Sequence, residues 1–202
     1  MKIICIGRNY AEHAKELNNE ISDEIIFFMK PETALLRPFQ PFFYPDFSNA
    51  IHFEAELVLR ICNVGKNIQQ KFAHRYYDAV TVGIDFTARD LQQKCKDKGL
   101  PWEIAKSFDN SAVIGSWKSK ETMKTTDINF YLKQNGILQQ SGNNRDMINS
   151  FDVIISYVSK FITLKRGDLI FTGTPKGVGS INKKDILELG IENEQLLTCK
   201  IL

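Results

Sequence analysis

The stretch IHFEAELVLRI, residues 51–61, reads as one β-strand with an apolar face. Successive strand side chains alternate, so Ile51, Phe53, Ala55, Leu57 and Leu59 point one way. His52, Glu54, Glu56, Val58 and Arg60 point the other. Glu54 and Glu56 therefore stand side by side, and two readings are open. The face can be a solvated sheet surface, in which case the pair needs no partner. If the face is buried, two adjacent like charges cannot both stay ionised without a cation. Oxygen-only donors would then select a hard ion such as Mg²⁺ or Mn²⁺, with His52 an optional neighbour. Such a site needs a third carboxylate, and Asp85, ending the otherwise apolar TVGID, is the candidate.

On either side of this stretch the pattern is mostly short strands. KIICIG reads as a first strand, followed by a helix over NYAEHAKELNN with Asn9 as N-cap and Asn18–Asn19 as its end. EIIFFMKP is a strand halted by Pro31, and residues 32–50 form a long packed loop. FAHRYYDAV suggests a helix, TVGIDF a strand, and ARDLQQKCKDKG a helix closed by Gly99. INFYLKQNGILQQ carries Asn135-Gly136 between strand-like arms, a hairpin signal. SFDVIISYVSKFITL is an amphipathic helix capped by Ser150, with Phe151, Ile154, Ile155, Val158, Phe161 and Ile162 as its apolar face. GDLIFTG, DILELG and LLTCKIL close the chain as strands. Scattered helices without regular βαβ alternation predict an α+β, mainly mixed-β architecture.

Length suits one domain over residues 1–202, and 43% hydrophobic with 25% charged residues is the balance of a globular chain with a real core. A net charge of +2 gives no push toward nucleic acid or an anionic membrane. No run approaches the ~20 apolar residues of a membrane span, and the N-terminal apolar run is too short for a signal peptide. Cys5, Cys62, Cys95 and Cys199 lie far apart without a C-x-x-C pair, which argues for reduced thiols and a cytoplasmic location. There is no G-x-S-x-G elbow, and GTPKGVG at Gly173–Gly179 lacks phosphate-loop spacing. His13 and Glu16, three apart on the first helix, share a face. They are either a general base with its orienting carboxylate or an ordinary surface pair.

Taken in order, GRNYAEH, FMKPETAL, HFEAEL, GIDFTARDLQ, KGLPWEIAKSFDNSAVIG and GDLIFTGTPKGVG resemble the fumarylacetoacetate hydrolase family. The resemblance runs from Gly7 to the last strand. It is to the small single-domain branch of acylpyruvate hydrolases and oxaloacetate decarboxylases, without the larger N-terminal domain of eukaryotic fumarylacetoacetase. It implies a mixed-β roll, usually a homodimer, in which Glu54, Glu56 and Asp85 hold Mg²⁺ or Mn²⁺. His13 and Glu16 match a catalytic dyad on a lid helix, and Lys106 matches a lysine near the developing enolate. Arg89, Gln92 and Thr174 match pocket residues, and Arg8 and Lys30 are implied as further substrate contacts or as support behind them. In GNNRDMIN this chain has Asn144, Arg145 and Asn149 where the family more often has a small hydroxyl pair and an apolar residue.

The activity implied is metal-dependent cleavage of a carbon–carbon bond in 2,4-dioxo acids, or decarboxylation of oxaloacetate. In both, a pyruvate enolate takes the electrons. Its nearest rival is an isomerase or tautomerase of oxaloacetate or of a dienoic acid in the same site. A non-catalytic binding module is a third reading, against which stands the retention of every metal and catalytic position.

Overall fold

The alternating stretch at 51–61 forms two strands, and the break falls at Glu54. The structure is a computed structural model describing residues 1–16 and 24–202. Ile3–Gly7 (β1) leads into the short helix Ala11–Glu16 (α1), and Ile26–Lys30 (β2) returns antiparallel to β1. The long segment after Pro31 contains a 3-10 turn at Glu32–Ala34, then Ile51–Phe53 (β3) and Ala55–Ile61 (β4). A single helical turn, Gln70–Ala73 (α2), precedes Tyr77–Asp85 (β5) and Thr87–Ala88 (β6). Arg89–Lys98 (α3) ends at Gly99, whose φ of 62° caps it in the left-handed conformation. Glu103–Lys106 (α4), Ala112–Ile114 (β7) and Lys118–Ser119 (β8) follow. Asn129–Gln134 (β9) and Ile137–Asn143 (β10) form the expected hairpin on Asn135 and Gly136, both at positive φ. The chain closes with Phe151–Phe161 (α5), Leu169–Phe171 (β11), Gly179–Ser180 (β12), Ile186–Ile191 (β13) and Glu194–Lys200 (β14).

Among the described residues these strands make three sheets. The largest runs β2-β1-β11-β4-β5-β7, with β8 also on β5. The second runs β10-β9-β13-β14 and the third β12-β3-β6. Only the β1–β11 pairing in the large sheet is parallel, so the architecture is α+β with mixed sheets. Both faces of β4 are buried. Ala55, Leu57, Leu59 and Ile61 join the main core, while Val58 packs with Ile3, Cys5, Leu169 and Phe171 in a smaller one. The solvated-edge reading of the glutamate face therefore fails: the face is closed by this second core.

Three local expectations are corrected. The helix over 72–80 gives way after Ala73, because Tyr77–Val80 open the longest strand, paired along β4 and β8. Asn9 is not a helix cap. Its amide donates to the carbonyls of Asn149 (3.0 Å) and Thr172 (2.8 Å) and accepts the Asn149 N–H (2.8 Å), fastening three distant segments. Ser150 occupies the N-cap of α5 as expected, without a side-chain hydrogen bond. On that helix Phe161 is 58% exposed, whereas Phe151, Ile154, Ile155 and Val158 are buried as expected. The predicted helix end at Asn18–Asn19 lies outside the described residues.

Candidate active site

The site forms where a strand pair leaves one sheet for another. β4 pairs with β5 in the large sheet and β3 with β6 in the small one, and both chains switch at the same level, at Glu54 and Phe86. The Asp85 N–H donates to the Glu54 carbonyl (2.9 Å), closing the corner. Residues facing each other across antiparallel strands share a side, so Asp85 joins Glu54, and Glu56 follows two residues on. One carboxylate oxygen from each of the three lies within 4.8 Å of the others, and all three side chains are buried.

Three cations answer these carboxylates. Lys106, at the end of α4, places Nζ 2.8 Å from Glu54 Oε2, 2.8 Å from Asp85 Oδ2 and 2.6 Å from Thr87 Oγ1. Arg89, opening α3, reaches Glu54 Oε1 at 2.5 Å and Gln92 Oε1 at 2.6 Å. Lys30 Nζ stands 2.7 Å from Asp85 Oδ1. It aims its hydrogens at Ser111 and the Lys106 carbonyl, so this buried Oδ1 has no aligned hydrogen bond. Lys30 thus lies behind Asp85, fully buried, a position that fits the supporting role of the two that the resemblance implies.

The carboxylates divide the available positive charge unequally. Burial works against ionising Glu54, but Lys106 and Arg89 prevail and hold it well below the usual carboxylate range. Glu56 goes the other way: burial raises it, and the charges of Asp85 and Glu54 raise it further. Among the described residues its one hydrogen bond comes from the Gly173 N–H, 2.6 Å from Oε2, and no cation pairs with it. An oxygen-only set with one under-neutralised carboxylate and one unaligned carboxylate oxygen fits a hard divalent ion such as Mg²⁺ or Mn²⁺.

His13, Arg8, Arg89, Gln92, Lys106 and Thr174 line one pocket with the three carboxylates. His13 Nδ1 is 3.1 Å from Glu16 Oε2, and Glu16 accepts the Gly177 N–H (3.0 Å), which ties α1 to the glycine-rich turn. That turn needs its glycines. Gly173 sits at φ 101°, and a Cβ there would meet the Asn9 Cβ at 2.7 Å. Thr174 accepts from Gln140 Nε2 (2.8 Å), whose Oε1 accepts the Ala55 N–H. His52 is half-buried beside Arg89, outside the carboxylate cluster, and burial followed by the Arg89 charge lowers its pKa. Of the family departures, Asn149 meets Asn9 through its backbone, Asn144 ties Ile128 to Thr125, and Arg145 pairs with Asp127 (2.6 Å).

Sequence reasoning missed Phe28, Lys96 and Trp102 on the pocket wall, and Gln140 behind Thr174. Phe28 and Trp102 meet edge to face with centroids 6.0 Å apart, and the Lys106 ammonium lies 5.2 Å from the Phe28 ring centre. Spacing could have found Lys96, which stands at i+7 from Arg89 on the same face of α3.

A β-sheet corner carrying three buried carboxylates and an ammonium defines a candidate metal-assisted enzyme site. Residues 2–201 match the model of the fumarylacetoacetate (FAA) hydrolase C-terminal family, and the chain belongs to that family. It is 42% identical to the mitochondrial oxaloacetate tautomerase of Mus musculus, over 98% of this chain and 90% of that protein. It is 40% identical to the mitochondrial oxaloacetate decarboxylase of Dictyostelium discoideum, over 94% and 88%. The fumarylpyruvate hydrolase of Pseudomonas aeruginosa, solved with Mn²⁺ and pyruvate, superposes with a TM-score of 0.95 at 33% identity. That match covers all of this chain and 89% of the other. No helix among the described residues is long and apolar enough to cross a membrane.

Proposed function

We propose that this chain is a divalent-metal-dependent enzyme of small 2-oxo acids. It hydrolyses a carbon–carbon bond in acylpyruvates and decarboxylates oxaloacetate through a pyruvate enolate. The observation that carries this reading is Lys106 Nζ held between Glu54 and Asp85 at the floor of a pocket with His13 on its wall. Glu54, Glu56 and Asp85 would hold Mg²⁺ or Mn²⁺, and a bound ion would stabilise negative charge developing on the substrate's 2-oxygen. Lys106 contributes a second positive group beside that charge, fixed in place by two carboxylates and a hydroxyl. Arg89 and Gln92 brace one another on the pocket wall, and Thr174 offers a hydroxyl oriented by Gln140. His13 takes a proton from water as it attacks the distal carbonyl, and Glu16 orients the imidazole and stabilises the resulting imidazolium. Collapse of the adduct breaks the C3–C4 bond, releasing a carboxylic acid and the pyruvate enolate, which takes up a proton at C3 to give pyruvate.

A second reading, keto–enol tautomerisation of oxaloacetate, is favoured by the 42% identity to a tautomerase. It requires only the same enolate and a group that returns the proton to the other atom. One experiment separates the activities. Pyruvate release is followed from acetylpyruvate and oxaloacetate side by side, and the ultraviolet absorbance of enol-oxaloacetate is followed in parallel. Each activity should vanish with chelator and return with Mg²⁺ or Mn²⁺. Full activity of folded, metal-stripped protein would sink the reading, and loss of enol absorbance without pyruvate would favour the tautomerase.

The whole chain acts as one catalytic domain, in a cytoplasmic homodimer. Ile137, Leu138 and Ile186, exposed together near the hairpin tip, support a covered surface there. Light scattering in solution tests the dimer.

A further inference from the structure

A side chain from the second sheet reaches the break between β3 and β4. β10 carries a bulge: Leu138 faces Lys133 and Gln140 faces Leu132, so Gln139 is an extra residue between the two pairs. Residues opposite one another on antiparallel strands share a side, and Leu132 is fully buried. The extra residue therefore turns Gln140 inward where regular pairing would turn Gln139. Gln140 is accordingly buried between two exposed neighbours, Gln139 and Ser141.

The partners of the Gln140 amide fix which way round it sits. Oε1 accepts the N–H of Ala55, the residue between Glu54 and Glu56, at 2.8 Å. Nε2 donates one hydrogen to Thr174 Oγ1 (2.8 Å) and the other to the Pro175 carbonyl (2.9 Å). A backbone N–H only donates and a carbonyl only accepts, so a flipped amide would set like against like at both ends. The amide thus fills a lone pair of Thr174. It also occupies the Pro175 carbonyl, 3.5 Å from Thr174 Oγ1, toward which that hydroxyl could otherwise turn. What remains is the hydroxyl hydrogen, on a side chain that lines the pocket with the three carboxylates.

We propose that Gln140 is a positioning residue: its amide commits the Thr174 hydroxyl to donate into the pocket, toward an anionic oxygen of the substrate, while its other end holds the peptide between Glu54 and Glu56. The bulge in β10 is the device that delivers it. The assignment rests on the 2-oxo acid reading, and it concerns binding, so a 2-oxo acid with no bond to cleave can test it.

Pyruvate is titrated calorimetrically into protein saturated with Mn²⁺. The variants are Gln140→Met, neutral and of similar length, Thr174→Val, and the two together. Thr174→Val should weaken pyruvate about tenfold, the worth of one hydrogen bond to a charged group. Gln140→Met should do nearly the same, because the freed Pro175 carbonyl takes the hydroxyl hydrogen. Two changes that act through one group do not add, so the double variant should stay within about twofold of Thr174→Val. Gln140→Glu covers the case in which Gln140→Met fails to fold. Its carboxylate still accepts the Ala55 N–H but cannot donate to Thr174 or Pro175, so Mn²⁺ should bind while pyruvate weakens about tenfold or more. Wild-type pyruvate affinity in folded Gln140→Met or Gln140→Glu overturns the assignment. So does additive weakening of about a hundredfold in the double variant, which would make Gln140 structural only. If Mn²⁺-saturated wild type binds no pyruvate, the 2-oxo acid reading itself fails and the assignment goes with it.

Discussion

Lys106 Nζ lies 2.8 Å from Asp85 Oδ2, and the two side chains are 3% and 1% exposed. Burial opposes the charged ammonium, but Asp85 and Glu54 raise its pKa well above the ordinary lysine value. The two carboxylates thus favour the charged lysine, and the same carboxylates must serve both it and a metal. Removing one member of a buried ion pair costs about 3–5 kcal/mol, because the partner is left uncompensated. Lys106→Met should therefore lower the melting temperature steeply in chelator and distinctly less with Mn²⁺, which restores positive charge. Activity should fall by about 10²-fold or more with metal present. Equal destabilisation with and without Mn²⁺ would show that lysine and ion do not share those carboxylates.

Gly173 links the glycine-rich turn to Glu56 through a 2.6 Å hydrogen bond from its N–H. Gly173→Ala would meet two obstacles, a φ of 101° and the Asn9 Cβ at 2.7 Å. Either one moves the N–H away from Glu56. Loss of such a supporting bond should weaken Mn²⁺ binding about 10–100-fold, as read by calorimetric titration. Gly167→Ala is the control: it shares a positive φ of 86° but meets no atom within 4 Å. It should lose a little stability and leave Mn²⁺ affinity alone. Matching affinities for the two variants would remove Gly173 from the metal site.

Much of this site is legible in the sequence because its parts are local. Glu54 and Glu56 share one strand stretch, His13 and Glu16 one helical turn, and Asp85 is an acid closing an apolar strand. What alternation could not decide was whether the glutamate face meets water. That depends on β1 and β11 supplying a second core around Val58, a non-local fact. The break at Glu54 was hidden for the same reason: alternation continues through it while the pairing partner changes from β5 to β6. Whether Lys30 touches substrate or supports the site is not legible either, because its motif names a residue and not a depth. Asn9 read as a cap because its true partners, Asn149 and Thr172, lie more than 130 residues away. Residues 77–80 read as helix because local spacing was ambiguous, and pairing with β4 and β8 decided for strand.

The hairpin carries an acid-sensitive clamp. Asp185 accepts hydrogen bonds from Gln134 Nε2 (2.7 Å), Asn135 Nδ2 (2.8 Å) and the Asn182 N–H (2.7 Å). Burial alone would raise its pKa, but these donors favour the carboxylate and lower it below the ordinary 3.8. A lowered folded-state value means the stabilisation is complete above about pH 4 and disappears as pH falls through that lower value. Asp185→Asn should cost about 1–2 kcal/mol near neutrality by urea denaturation. The gap to wild type should close as pH falls below about 4 and through the lowered folded-state value. A gap of constant size across that range would mean the charge contributes nothing.

The division of labour between floor and wall makes the sharpest prediction. His13 Nδ1 is 3.1 Å from Glu16, on a helix tied to Gly177, and neither side chain touches Glu56 or Asp85 by hydrogen bond or ion pair. If the pair activates water, it matters for hydrolysis and not for forming the enolate. His13→Ala should then cost acetylpyruvate hydrolysis about 10²–10⁴-fold, the usual worth of a general base, and cost oxaloacetate decarboxylation far less. Mn²⁺ affinity should be unaltered, because the carboxylate corner is built without the helix. Glu16→Gln should fall between wild type and His13→Ala on hydrolysis, since an amide can still meet the ring but cannot stabilise an imidazolium. Parallel losses of both activities in His13→Ala would instead place the imidazole on the path of the enolate's own proton, the role a tautomerase requires.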